Sequence, residues 1–276
     1  MTLLNLRRFA AAVLACAVIA ACSRDSAPAQ RVGSARKSAV TKTDDSAAGS
    51  VDLSSGDYKP STLSSVGNVA GTIKLDGTPP VNAPDITVDE KVCGTKAESP
   101  VVSSAKTGGL AGAIVWIADV TTGKPFPIEK RSEVSSEKCA LDPRIQAVVV
   151  GSTVNVFNDD KLLHTLVFVR VGTHDTLTKM PFFNEGQVVA SERIAKTPGI
   201  VEIRCEQHPW TRGYIAVFDH PYFAVTEDDG SFKIDSLPPG KYTVNVWHEG
   251  MTKPATQTVQ VAANGTSKVD ASVKLQ

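Results

Sequence analysis

The chain of 276 residues has no charge of one sign to spare: 29 basic residues face 29 acidic ones, with no long run of either. That excludes the electrostatic footprint of a nucleic-acid binder. It contains neither a G-x-S-x-G elbow nor an H-E-x-x-H pair, so hydrolase chemistry has little support and no enzymatic activity is expected. Its one sustained apolar run, Phe9 to Ala21, is too short for a lasting transmembrane helix. Methionine is scarce, with only Met1, Met180 and Met251. Helical periodicity is lacking as well, although 42% of the residues are hydrophobic, enough to fill two ordinary cores.

What is present at the start reads as a targeting segment. Arg7-Arg8 precede the apolar run, as in a cleaved signal peptide spanning 1–21. Ile19-Ala20-Ala21-Cys22 resembles the bacterial lipobox, which implies lipid modification of Cys22, and Ser23 after it points to the outer membrane. An ordinary secretory signal cut near Ala21 is the alternative, and both readings export the protein to the periplasm. Residues 22–65 are rich in Ser, Ala, Asp and Lys and carry no period, the composition of a flexible tether.

Beyond the tether, short alternating runs separated by turn residues recur: Val69–Leu75, Gly112–Ile117, Thr153–Phe157, Leu166–Val169, Gly199–Ile203, Tyr214–Phe218, Ser231–Ile234 and Tyr242–Trp247. The expected class is all-β, two sandwiches. Thr226-Glu-Asp-Asp-Gly230-Ser-Phe232-Lys-Ile234, followed by Leu237-Pro-Pro-Gly240-Lys-Tyr242-Thr-Val244, resembles the carboxypeptidase-regulatory, transthyretin-like β-sandwich. Such domains open with a strand like Gly67–Ile73, which here lies far upstream. The expected organisation is one sandwich from 66–128 and 219–276, interrupted by a second module at 129–218. Two consecutive domains meeting near 219 are the simpler alternative.

Within that module, His164 and the string Cys205-Glu-Gln-His208-Pro-Trp-Thr211 put one thiol and two imidazoles on a β framework. A trigonal set of sulfur and nitrogen is what blue copper uses. Val148-Val-Val-Gly151-Ser-Thr153-Val154-Asn-Val156-Phe157-Asn158-Asp159, then His164, then Pro198-Gly199-Ile-Val201-Glu-Ile203-Arg-Cys205-Glu-Gln-His208 resemble a cupredoxin, with the short ligand loop of the amicyanin type. The resemblance implies a Greek-key sandwich, one copper ion on His164, Cys205 and His208, and electron transfer. It places Asn158, Thr165 and Pro209 around the ligands, with Trp210 covering their edge. One position departs from it: the loop's weak axial methionine is replaced by Thr211, so the site is open between three-coordinate and an axial ligand from Thr211, a backbone oxygen or the distant Met180. The departure equally suits a copper carrier. Zinc on the same residues is the lesser metal option.

Cys93 and Cys139 form an even pair outside the metal set, and in an oxidising periplasm they suggest a disulfide; two unpaired buried thiols are the alternative. His174, His220 and His248 read as structural. The expected partners are a periplasmic redox protein or a copper donor or acceptor, with the membrane reached through the lipid anchor. The competing reading is a metal-free scaffold that recognises a protein or glycan.

Overall fold

The alternating runs become strands because apolar side chains at every second position can share one face of a sheet. The computed structural model describes residues 51–78, 83–97, 99–104 and 106–275. The expected signal peptide, Cys22 and the tether up to residue 50 lie outside the described residues.

The first described third contributes β1 (Lys59–Pro60), β2 (Gly67–Leu75), the one-turn helix α1 (Glu90–Cys93), β3 (Ile114–Ile117) and β4 (Thr122–Gly123). The middle contributes β5 (Arg131–Glu137), β6 (Ala140–Asp142), β7 (Ile145–Val149), β8 (Thr153–Asn158), β9 (His164–Arg170), β10 (Thr176–Phe182), β11 (Gln187–Ser191), β12 (Gly199–Cys205) and β13 (Arg212–Phe218). The last part holds β14 (Phe223–Val225), β15 (Ser231–Leu237), β16 (Gly240–Trp247), β17 (Ala255–Val261), β18 (Thr266–Lys268) and β19 (Ala271–Val273).

The middle strands form two sheets, β10-β9-β12-β13-β7 and β11-β8-β5-β6, in which the chain crosses repeatedly from one sheet to the other. Between them lies a core drawn wholly from this segment, including Val134, Val154, Val156, Leu166, Phe168, Phe182, Val201, Ile203 and Ile215. The remaining strands form the sheets β14-β3-β16-β17 and β15-β2-β18, with β19 also on β2, and β1 pairs with β4 in a separate parallel pair. Strands β2 and β3 are thus flanked by strands from beyond 222. Their core includes Val69, Ile73, Trp116, Phe232, Val244 and Trp247.

Strand β13 is buried on both faces, as is the start of β12. Val201, Ile203, Ile215 and Val217 point into the middle core, while Ile200, Tyr214, Ala216 and Phe218 join the other one. This explains why Gly213–Phe218 is buried throughout instead of alternating in exposure. Each large side chain so buried contributes roughly 1.5–3 kcal/mol.

The tether expected over 22–65 ends earlier than its composition indicates. Val51 and Leu53 are buried in the larger core, Ser54 and Ser55 hydrogen-bond the carboxylate of Asp219, and Tyr58 packs edge-on against Phe126 and Tyr222. Two aliphatic side chains and one ring in an otherwise polar stretch suffice to dock it. Strands β5, β10 and β11 had no apolar run to announce them. β10 and β11 lie at sheet edges, and β5 buries only Val134 and Ser136.

Candidate metal centre

Strand geometry brings the thiol to the first imidazole. On β12, Val201, Ile203 and Cys205 are successive inward positions, so Cys205 is the last side chain that the strand aims into the core. β12 pairs with β9 so that Cys205 lies opposite Leu166, two residues from His164 at the start of β9. After Cys205 the chain turns tightly: the Thr211 amide donates to the His208 carbonyl at 2.9 Å, and the Cys205 amide donates to the Thr211 carbonyl at 3.2 Å. The turn carries His208 back over the end of the sandwich.

Three donor atoms converge there. Cys205 Sγ lies 3.5 Å from His164 Nδ1 and 3.6 Å from His208 Nδ1, and the two nitrogens are 3.2 Å apart. All three side chains are buried. A point equidistant from the corners of this triangle is about 2 Å from each, within the range of metal–nitrogen bonds and slightly inside metal–sulfur ones. The residues therefore fit a single ion in a trigonal set.

Each imidazole is held from behind by a carboxylate. His164 Nε2 is 3.0 Å from Asp160 Oδ2, and His208 Nε2 is 3.2 Å from Asp89 Oδ2. Asp160 is itself buried and accepts the backbone N–H groups of Lys138 at 2.6 Å and Cys139 at 2.9 Å. With their Nε2 atoms so engaged, both rings turn Nδ1 toward the thiol, the role that outer carboxylates play at metal-bound histidines.

The electrostatics follow from these contacts. Burial pulls the His164 imidazole down, but Asp160 and Cys205 outweigh it and leave it raised to about 9. Burial pushes the Cys205 thiol up, yet the two histidines and the backbone amides of His208 and Gln207 bring it down to about 6. Burial likewise works against protonation of His208, and Cys205 and Asp89 more than offset it, so it is raised. Without metal the centre favours a thiolate beside imidazolium, and a cation replaces protons rather than filling an apolar void.

The other residues expected around the site divide. Thr165 and Gln207 form a mutual pair, Thr165 N–H to Gln207 Oε1 at 2.7 Å and Gln207 Nε2 to Thr165 Oγ1 at 3.1 Å, which ties the ligand loop to β9. Asn158 is the last inward position of β8 and donates to the carbonyls of Asp160, Leu162 and Asn184, shaping the turn that leads to His164. Trp210 lies against His208, ring centroids 5.4 Å apart. Pro209 is exposed. The Thr211 hydroxyl donates to the Cys139 carbonyl, so both its side-chain and main-chain oxygens are engaged within the protein. Met180 sits on β10 opposite Leu166, in the same apolar core as Cys205.

Cys93 and Cys139 are disulfide-bonded, and Cys205 is a free thiol. His220 and His248 are buried, each accepting a local backbone N–H, and His174 is exposed with a positive φ of 61°. Asp160, Asp89 and Gln207 were not singled out by sequence. For Asp160 a signal existed: a carboxylate four residues before a ligand histidine, the type of partner that such a ring needs.

A family model for the Carboxypeptidase regulatory-like domain matches residues 214–274. No curated protein matches the sequence. Among solved structures, a purple cupredoxin from Nitrosopumilus maritimus is 22% identical with a TM-score of 0.28, covering 31% of this chain and 98% of that one. A reduced amicyanin variant is 23% identical with a TM-score of 0.27, covering 32% of this chain and 81% of its own. The Cu-containing nitrite reductase (NirK) from Thermus scotoductus SA-01 is 21% identical at 0.29, with 36% of this chain and 24% of the reductase covered. The chain is thus similar to a carboxypeptidase regulatory-like domain in its last strands and to cupredoxins over about a third of its length.

Proposed function

We propose that the protein is an exported copper protein whose middle module, 129–218, holds one ion on His164 Nδ1, Cys205 Sγ and His208 Nδ1 and carries electrons. The observation that supports this best is the buried triangle of one sulfur and two nitrogens with sides of 3.2–3.6 Å. Copper bound there would supply one-electron chemistry. The residues supply the rest: β9 and β12 fix two ligands on a packed core, Asp160 and Asp89 fix the rings, and Trp210 shields the edge of His208. Little has to move between oxidation states.

Copper suits the donor set better than zinc, which prefers a fourth, tetrahedral ligand, since Thr211 is turned to the Cys139 carbonyl. The reading extends to a lipid anchor at Cys22, an outer-membrane location facing the periplasm, and a redox protein or copper donor or acceptor as partner. No catalytic residue is assigned. The test is an absorption titration of the copper-free protein with Cu(II), with Cys205→Ser in parallel. An intense visible band in the parent that is lost in the variant is expected. A colourless parent that binds copper no better than the variant contradicts electron transfer and favours the metal-free scaffold.

A further inference from the structure

The disulfide stands at the metal centre itself. Cys93 ends α1, whose N-cap is Asp89, the carboxylate that holds His208. Cys139 lies in the turn between β5 and β6, whose amides hold Asp160 and thereby His164. The bond therefore joins the two supports of the two histidines. The two cysteine sulfurs and a ring nitrogen of His208 lie within 4.8 Å of one another. A cavity of about 500 Å³ adjoins the two cysteines, with Cys93, Cys139, Lys96, Lys138 and Trp210 among its lining. The indole nitrogen of Trp210 is buried without a hydrogen-bond partner.

We propose that two-electron reduction of Cys93–Cys139 creates a second metal site, Cys93–Cys139–His208, that accepts Cu(I) from the first set. A dithiol reductant entering by the cavity gives two electrons and two protons to the S–S bond and is itself oxidised to a disulfide. The two new thiols each release a proton when Cu(I) binds. Two thiolates and one imidazole form a soft donor set that favours Cu(I). His208 belongs to both sets, so an ion gains the second as it gives up the first, and its departure route is the cavity. With the disulfide intact the second set does not exist, and the ion is retained. The state of one bond thereby separates holding copper from releasing it.

The test uses the full chain with Cys205→Ser, which disables the first set, so its outcome is independent of whether that set binds copper in the parent. The protein is reduced with a phosphine, freed of it without air, and titrated with Cu(I) against a chromophoric chelator. The reduced variant is expected to take up one Cu(I) that the oxidised variant does not. Adding Cys93→Ser should abolish this uptake, and adding His208→Ala should weaken it by at least the 10–100-fold typical of an outer partner. Uptake unchanged by His208→Ala would reveal chelation by any exposed dithiol and overturn the proposal. Uptake that survives Cys93→Ser, or no uptake at all, overturns it too. Loss of the cooperative unfolding transition on reduction has the same meaning, because the set requires the fold to hold His208 beside the thiols.

Discussion

Asp160 concentrates more of the site's order than any ligand does. One buried carboxylate accepts two backbone N–H groups of the turn at Cys139 and holds His164 in the ring orientation that turns Nδ1 to the thiol. Asp160→Asn should lower copper affinity about 10–100-fold in a chelator competition, as replacing an outer partner commonly does. Asp89→Ala should act on His208 in the same sense but less, since Asp89 is 47% exposed and water can replace it. Equal affinities for parent and Asp160→Asn would show that the ring is held by packing alone. The three converging side chains, His164, Cys205 and His208, were legible in the sequence because a histidine followed at a distance by Cys-x-x-His among alternating runs resembles the cupredoxin order. Asp160 and Asp89 were not, because an aspartate in a polar turn looks like ordinary surface. Asp89, moreover, reaches His208 from 119 positions away.

Strands, rather than loops, set the precision of the centre. Ile203 occupies the inward position just before Cys205 and is 1% exposed, so Ile203→Ala should cost about 2–5 kcal/mol in urea unfolding and loosen the thiol's anchorage. In the other sandwich, a Cβ at Gly71 of β2 would stand 1.7 Å from the carbonyl oxygen of Val269, whose own amide bonds Ala70. Gly71→Ala should therefore cost on the order of 2–3 kcal/mol by forcing that segment off the strand. A change below about 0.5 kcal/mol, the size of a neutral surface substitution, would contradict the packing. Alternation revealed β2, β8, β12 and β16, which have one clear inner face. It did not reveal β5, where Val134 is the lone buried aliphatic, or β10 and β11, whose edge positions leave polar residues in place.

At the scale of the whole molecule, two buried histidines govern the response to acid. Burial holds His220 down to about 4 despite Asp219, and burial with Arg144 holds His248 down to about 4. An unfolded histidine titrates near 6.5, so between pH 6.5 and 4 the unfolded chain binds more protons than the folded one. Stability is then full above pH 6.5 and falls as pH drops toward 4, by on the order of 3 kcal/mol per histidine. In the copper-free protein His164 and Cys205 act in opposite senses at higher pH. His164, raised to about 9, and His208, also raised, lose their contributions as pH climbs above 6.5, while the depressed Cys205 gains over a similar window. Urea midpoints should therefore drop clearly from pH 7 to pH 5. A midpoint independent of pH below 6.5 would mean that the two rings are not buried neutral. X-ray absorption at the copper edge of the loaded, disulfide-intact protein counts the atoms that hold the ion. One sulfur and two histidine nitrogens are expected, the nitrogens at about 2.0 Å. Copper surrounded only by oxygen and nitrogen, with no sulfur, would contradict one ion held by one thiolate and two imidazoles.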